Sequence, residues 1–274
     1  MKIQELLQNQ EYTQKRVLEN LICYFLDISR ENLRISLDQD IEESVINKII
    51  QAYDDFVVQK KPLEYILYVE FMRNKFKIDH RALIPRPETE YMIQAVNEHV
   101  STLKPNNILF DIGTGCGVLL SVLLHNPSFF TEAYLSEYVD YTLSLAQENF
   151  EIFKPRLGKT KVNLVQSNLL NFVKDISLSD SNLILVANLP YIPENTFDQN
   201  VENVKNREPK PAFVEDLDYY REMFQQIFDF IKPTMFLEMM TRQVDVLRKE
   251  FEKIKFQETK TFHFNIRIVK ARIK

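Results

Sequence analysis

The chain is short of glycine. Only four occur in 274 residues, against an average usage of about 7%. Three of the four fall in one pentapeptide, Gly113-Thr114-Gly115-Cys116-Gly117, so the scarcity itself directs attention there. Cysteine is also scarce. Cys23 and Cys116 lie far apart and form no metal-ligand pattern, which argues against a disulfide framework or a metal site and leaves two reduced thiols. No apolar run is long enough to span a bilayer, and the first residues, MKIQELLQNQEYTQ, lack the apolar core of a signal peptide. A cytoplasmic protein without membrane contact is therefore the expectation. A basic excess is missing too. The net charge is -5, whereas a chain that grips a nucleic acid backbone usually carries many uncompensated Lys and Arg. Direct nucleic-acid binding is not expected. The tail KTFHFNIRIVKARIK is locally basic and reads as a solvated strand face, with a partner surface as the alternative.

What remains is an ordinary globular balance, 45% hydrophobic and 27% charged. The length suits one large domain, or one large and one small. Residues 1 to about 60 carry helical spacing. LLQNQEYTQKRVLENLICYFL sets Leu7, Val17, Leu18, Leu21, Ile22 and Phe25 mainly three and four apart. DIEESVINKIIQAYDDFVV does the same, with Asp40 and Glu43 at the spacing of a capping box. The stretch between, SRENLRISLDQD, reads as a polar connection. The pattern then alternates in PLEYILYVEFMRNKFKID, which predicts a hairpin turning at MRN. After HRALIPRPETE, a helix is predicted over ETEYMIQAVNEHV. From residue 107 strands and helices alternate: NILFDIG, CGVLLSVLLHN, EAYLSE, VDYTLSLAQENF, KVNLVQS, LLNFVKD, SNLILVAN. The helix DLDYYREMFQQIFDFI, the strand TMFLEMM, the helix RQVDVLRKEFEKI and two last strands complete the chain. This order implies an α/β fold with a mostly parallel sheet covered on both faces.

In such a sheet, ligands bind beyond the carboxyl ends of the strands. Asp111 and the glycines stand at the end of the first strand, where glycine lets backbone N–H groups approach a ligand. Glu137 ends the next strand, 20 residues after Gly117, where its two oxygens can hold both hydroxyls of a ribose. The spacing G-x-G-x-G is not the G-x-G-x-x-G of dinucleotide folds. With Asp111 ahead of it, the turn suits a cationic ligand better than a phosphate. S-adenosylmethionine fits: it carries a sulfonium, an ammonium and a ribose, and no phosphate. The bland alternative is a tight strand–helix turn without a ligand. Asn168 ends the third strand. It can bind an adenine amino group or cap the following helix, and the two roles are compatible. Cys116 reads as a small residue tolerated in the turn, not a nucleophile, since no histidine lies near it in sequence.

The fourth strand ends in Asn188-Leu189-Pro190-Tyr191. Pro190 has no N–H and biases Leu189 toward an extended conformation. The Asn188 side-chain oxygen and the Leu189 carbonyl then form two adjacent acceptors, which suit an NH₂ group. Tyr191 offers a flat face to a planar system. An amide nitrogen is a poor nucleophile because its lone pair is delocalised. Holding both its hydrogens directs the lone pair toward a methyl donor. Neither a metal nor a covalent intermediate is needed. The alternative is a simple strand-ending turn.

Asp111 to Gly117 followed by Asn-x-Pro-Tyr resembles the class I amino-methyltransferases. Ile84-Pro85-Arg86-Pro87-Glu88-Thr89-Glu90, with PLEYIL before it and REPKPAF (207 to 213) after it, resembles the peptide chain release factor glutamine N5-methyltransferases. The match runs from about residue 62 to the end. The resemblance implies a small helical substrate-recognition domain (1–61), a β-hairpin linker (62–85) and a seven-stranded Rossmann-like methyltransferase domain (86–274). It implies methylation of the glutamine amide in the Gly-Gly-Gln loop of class I release factors, by a protein expected to be monomeric. By position, Gly113, Thr114, Gly115, Cys116, Gly117 and Glu137 would bind the cofactor, with Leu169 lining its adenine pocket. Asn188, Leu189, Pro190 and Tyr191 would hold the glutamine amide, Asn188 also beside the cofactor. Residues 86 to 90, including Arg86, Pro87 and Glu88, would roof the site.

The chain departs from the family pattern at several positions. Leu189 stands for a proline, Asn168 for an aspartate, and Arg73-Asn74 and Met240 for glycines. The Leu189 carbonyl survives its change, at a cost in rigidity. Three rival readings follow. The ribosomal RNA adenine dimethyltransferases carry the same Asn-Leu-Pro-Tyr, but over 100 residues precede the glycine turn here and the chain is acidic. The ribosomal-protein glutamine methyltransferases lack the Pro-Glu-Thr-Glu run. A cofactor-binding protein of reduced or no activity would explain the departures.

Overall fold

The computed structural model describes residues 1–176, 178, 181–190, 208–209, 217–261 and 266–274, without the side chains of 258–261. It divides into two compact units, Met1–Tyr68 and Val69–Lys274.

The first unit is helical: α1 (Ile3–Gln8), α2 (Lys15–Phe25), α3 (Arg30–Ile35), α4 (Glu43–Val57) and α5 (Leu63–Ile66). Its core gathers Ile3, Leu6, Leu18, Leu21, Ile22 and Ile49, all essentially buried. Each such side chain contributes about 1.5–3 kcal/mol relative to exposure. The helical pattern read over residues 6–26 is split. Between α1 and α2 the Asn9 side chain accepts the Glu11 N–H at 2.9 Å, a local turn that competes with the helix. The supposed polar connection contains α3, capped by the Ser29 hydroxyl, which accepts the Asn32 N–H at 3.1 Å. Only Leu33 of α3 is buried, so its apolar periodicity was too weak to read. Asp40 caps nothing. The cap position of α4 is Glu42, without a side-chain bond, and Asp40 forms an isolated bridge with Lys2.

The second unit opens with a hairpin, β1 (Val69–Phe71) and β2 (Asn74–Phe76), turning at Met72 and Arg73. It is shorter than the alternating pattern suggested, because residues 63–66 form α5. Then come α6 (Pro87–Val100), β3 (Asn107–Ile112), α7 (Leu120–His125), β4 (Phe130–Glu137), α8 (Asp140–Phe153), β5 (Lys161–Gln166), β6 (Asn182–Ala187), α9 (Asp218–Phe230), β7 (Thr234–Met240), α10 (Thr241–Glu250), β8 (Ile254–Thr261) and β9 (Ile266–Ile273). The predicted helix at Cys116 begins only at Leu120. Residues 117–122 use i→i+3 bonds, such as Leu120 N–H to Gly117 C=O, and wind more tightly. LLNFVKD is likewise a 3₁₀ turn, Asn171–Asp175.

Seven strands pair in the order β5-β4-β3-β6-β7-β9-β8. All pairs are parallel except those of β9 with β7 and β8. The sheet is thus Rossmann-like with an antiparallel end. Every residue of β3 is buried, as a central strand covered on both faces requires. The chain reverses direction across the sheet between β3 and β6, and that switch point opens a crevice at the strand ends. Asn149 of α8, fully buried, ties the crevice's rim together. Its amide nitrogen donates to the Lys77 and Cys116 carbonyls, both at 2.8 Å, and its oxygen accepts the Lys77 N–H. Among the described residues no helix is long and apolar enough to cross a membrane.

Candidate active site

The crevice holds a cavity of about 330 Å³ within the second unit. The ends of β3, β4, β5 and β6 each contribute to its wall. Gly113, Thr114, Gly115 and Cys116 come from the first, Glu137 from the second, Asn168 and Leu169 from the third, and Asn188, Leu189 and Pro190 from the fourth.

Gly113, Gly115 and Gly117 all take positive φ. At Gly113 a Cβ would stand 3.0 Å from Leu189 Cδ2, while nothing lies within 4 Å of one at Gly115. Two of the expected cofactor residues stand behind the wall. Gly117 packs toward Leu120 and Ala146. Asp111 is fully buried: its Oδ2 accepts the Thr114 hydroxyl at 2.5 Å, and its Oδ1 has no hydrogen-bond partner among the described residues. Burial first, and then the Glu137 charge, raise its pKa to about 7, against the opposing Thr114 bond. Cys116 is also buried, and desolvation pushes its thiol up to about 12. It is protonated at neutral pH and no nucleophile.

Glu137 anchors the turn. Its Oε2 accepts the Gly115 N–H at 3.1 Å, and its Oε1 accepts those of Tyr138 (2.9 Å) and Val139 (3.2 Å). Burial raises its pKa, and these three bonds hold it down. Asn168 caps no helix: the following 3₁₀ turn has Leu170 at its cap position. The Asn168 amide nitrogen donates instead to Glu222 of α9 at 2.8 Å. Leu169 is buried with φ +50, a left-handed strain for a branched side chain at a ligand-binding edge.

Leu189 is folded inward, only 3% exposed, against Gly113 and the sheet's apolar core. It forms part of the cavity wall. The Asn188 amide nitrogen donates to Thr89 Oγ1 at 3.1 Å, and the Thr89 hydroxyl donates to Glu238 Oε2 at 2.7 Å. Tyr191 lies outside the described residues. Of the expected roof, residues 86 to 90, Arg86 and Thr89 reach the cavity wall, while Pro87, Glu88 and Glu90 do not line it; Pro87 starts α6. The sequence points to no individual role for Glu208 or Glu238, and to Thr89 only as one of the roof residues 86–90. Glu208 is buried, accepting the Ile84 N–H and pairing with Arg86, both at 2.9 Å. Its only signal was its place in REPKPAF. Arg81, also on the wall, pairs with Asp79 (2.7 Å) and Glu148 (2.8 Å).

No protein-family model matches the chain. The release factor glutamine methyltransferase of Bacillus cereus is 30% identical over 223 residues, which cover 76% of this chain and 73% of that protein. The chain belongs to the release factor glutamine methyltransferase family, a family of methyl-transferring enzymes. The member from Fusobacterium nucleatum is 29% identical over 224 residues, 80% of this chain but only 60% of that protein's length. Among solved structures, the human methyltransferase 10 domain containing protein is 13% identical with a TM-score of 0.52, covering 85% of this chain and 99% of that one. That likeness concerns the fold.

The wall's chemistry fits a cationic, phosphate-free ligand such as S-adenosylmethionine. Glu137 contributes a carboxylate to the wall. Both described arginines on the wall are already ion-paired with carboxylates, so neither stands uncommitted for a phosphate.

Proposed function

We propose that the protein methylates the side-chain amide nitrogen of the glutamine in the Gly-Gly-Gln loop of a class I release factor, with S-adenosylmethionine as donor. The observation that carries this reading is one cavity whose wall joins the glycine turn and Glu137 to Asn188, Leu189 and Pro190. When bound, the cofactor supplies a methyl group made electrophilic by its sulfonium. The chain's own residues do the rest. Gly115 leaves open space beside its backbone, and Glu137 offers further lone pairs to the ribose hydroxyls. Asn168, with its nitrogen committed to Glu222, keeps its oxygen for the adenine amino group. The Asn188 oxygen and the Leu189 carbonyl would each accept one hydrogen of the substrate NH₂. That would fix the nitrogen lone pair toward the methyl group and support the positive charge that develops on nitrogen until one of its protons passes to solvent. Tyr191 would pack on the planar amide. The helical unit 1–61, followed by the 62–85 segment, would recognise the release factor, and the enzyme would act as a cytoplasmic monomer.

The test combines purified release factor, labelled cofactor and this protein, with the label mapped by mass spectrometry. Label on the loop glutamine is expected; label on RNA, or on no glutamine, refutes the reading. In the same assay Asn188→Ala should lower turnover by ~100-fold or more, with cofactor affinity changed only modestly.

A further inference from the structure

An asparagine amide presents nearly the same shape whichever end faces a ligand, and its environment decides between them. At Asn188 two residues make that decision. Glu238 is fully buried on β7. Its carboxylate accepts the single hydroxyl proton of Thr89, itself 3% exposed. With that proton committed, Thr89 Oγ1 can only accept from Asn188. The end of the amide it takes must be the NH₂, at 3.1 Å. The end left for a ligand is Oδ1.

The same residue is also fixed through its main chain. The Glu238 backbone carbonyl accepts the hydroxyl of Tyr220 at 2.6 Å, and Tyr220 is fully buried.

We propose that Thr89 and Glu238 are positioning residues, a buried relay that turns the Asn188 amide so that its oxygen is offered to the substrate. The inference rests on the proposed reading of the Asn188–Pro190 turn and deepens it. The relay gives the site a sign. An oxygen at Asn188 accepts from an NH₂ and repels a carboxylate, so glutamine is favoured over glutamate at the same position. Reversing the amide would set donor against donor. The relay transfers no proton in the reaction; it fixes an orientation before substrate arrives, which is the form of preorganisation that needs no rearrangement at the moment of transfer.

Thr89→Val keeps the volume of the side chain and removes the hydroxyl; Thr89→Ser keeps the hydroxyl. In nitrogen-15-labelled protein, the Asn188 side-chain amide signal is assigned by its loss in Asn188→Asp. It should shift in Thr89→Val and hold in Thr89→Ser. In the methylation assay Thr89→Val should lower kcat by on the order of 10- to 100-fold, with the Kd for S-adenosylmethionine within about twofold, while Thr89→Ser stays near the unsubstituted rate. Glu238→Leu is the second variant. It offers the Thr89 hydroxyl no acceptor, which frees the Thr89 proton for Asn188 and predicts the same shift and the same loss. An unmoved signal in a folded Thr89→Val or Glu238→Leu protein overturns the relay. So does a moved signal with undiminished kcat. Failure of the unsubstituted protein to methylate the glutamine refutes the functional reading instead, and the amide signal still decides the relay.

Discussion

At the Gly113–Gly117 turn and at the Met72–Arg73 hairpin turn the backbone enters the same left-handed region, yet only the first uses glycine. All four glycines of the chain have positive φ, and so do six other described residues, among them Met72, Arg73 and Leu169. Left-handed φ therefore does not by itself demand glycine here. The hairpin turn is open to solvent at Arg73 and is supported by side chains. Glu90 accepts the Met72 N–H at 2.8 Å, and the Asn74 amide donates to the Met72 carbonyl at 2.9 Å. The fold carries that strain, about 1–2 kcal/mol per residue. The glycine turn is different because space is contested. A Cβ at Gly113 would press on Leu189, and one at Gly158 would lie 2.7 Å from the Pro127 carbonyl oxygen. Gly115 has room in the structure, but the room is part of the cavity wall. At Gly113 and Gly158 a side chain would be crowded, at Gly117 it would meet only ordinary contacts, and at Gly115 the open space belongs to the cavity.

The comparison breaks most decisively at Gly115. Gly115→Val should leave the fold cooperative, with a melting point lowered only by the left-handed strain, yet weaken S-adenosylmethionine binding by about tenfold or more, since a buried clash costs over 1 kcal/mol. Calorimetry that finds unchanged affinity would mean the open space serves no ligand. An intermediate effect concerns the carboxyl behind the turn. The folded pKa of Asp111 is raised to about 7, above its unfolded value of about 3.9. The native state then holds more protons than the unfolded chain, and this group's contribution to stability falls as pH rises from about 4 to about 7. Glu137, also raised, adds a slope of the same sign. Unfolding free energies measured across that window should decline less steeply in Asp111→Asn than in the unsubstituted protein. The smallest effect belongs to the hairpin. Arg73→Gly relieves the left-handed strain and loosens the unfolded chain, for a net stabilisation of about 0.5–1 kcal/mol in denaturant titrations. A loss of stability would show that the Arg73 side chain, and not the backbone, holds the turn.

The strands from Asn107 onward were legible because each is a short apolar or alternating run bounded by turn residues, and none depends on a remote partner to be a strand. The helical unit was less so. The Asn9 turn and the Ser29 cap are single hydrogen bonds set inside a continuous helical pattern, and a hydrophobic period does not register them. Asp111 and Gly117 belong to the turn's motif, but a motif does not say which of its members line the cavity. Asp111 instead holds Thr114 from behind.

The sequence by itself determined the chemistry on offer: a glycine turn with Glu137 twenty residues on, an asparagine and a carbonyl before Pro190, and strands whose order brings their ends to one edge. Local spacing carries that information, since each motif closes within a few residues. Only the tertiary structure decided how those groups are aimed. Asn188 is oriented by Thr89, 99 positions away, and Thr89 by Glu238, 149 positions further along the chain than itself. Leu189 folds inward because Gly113 leaves it room. Hydrogen-bond direction and steric room depend on which distant residues meet, and that is fixed only when the sheet has closed.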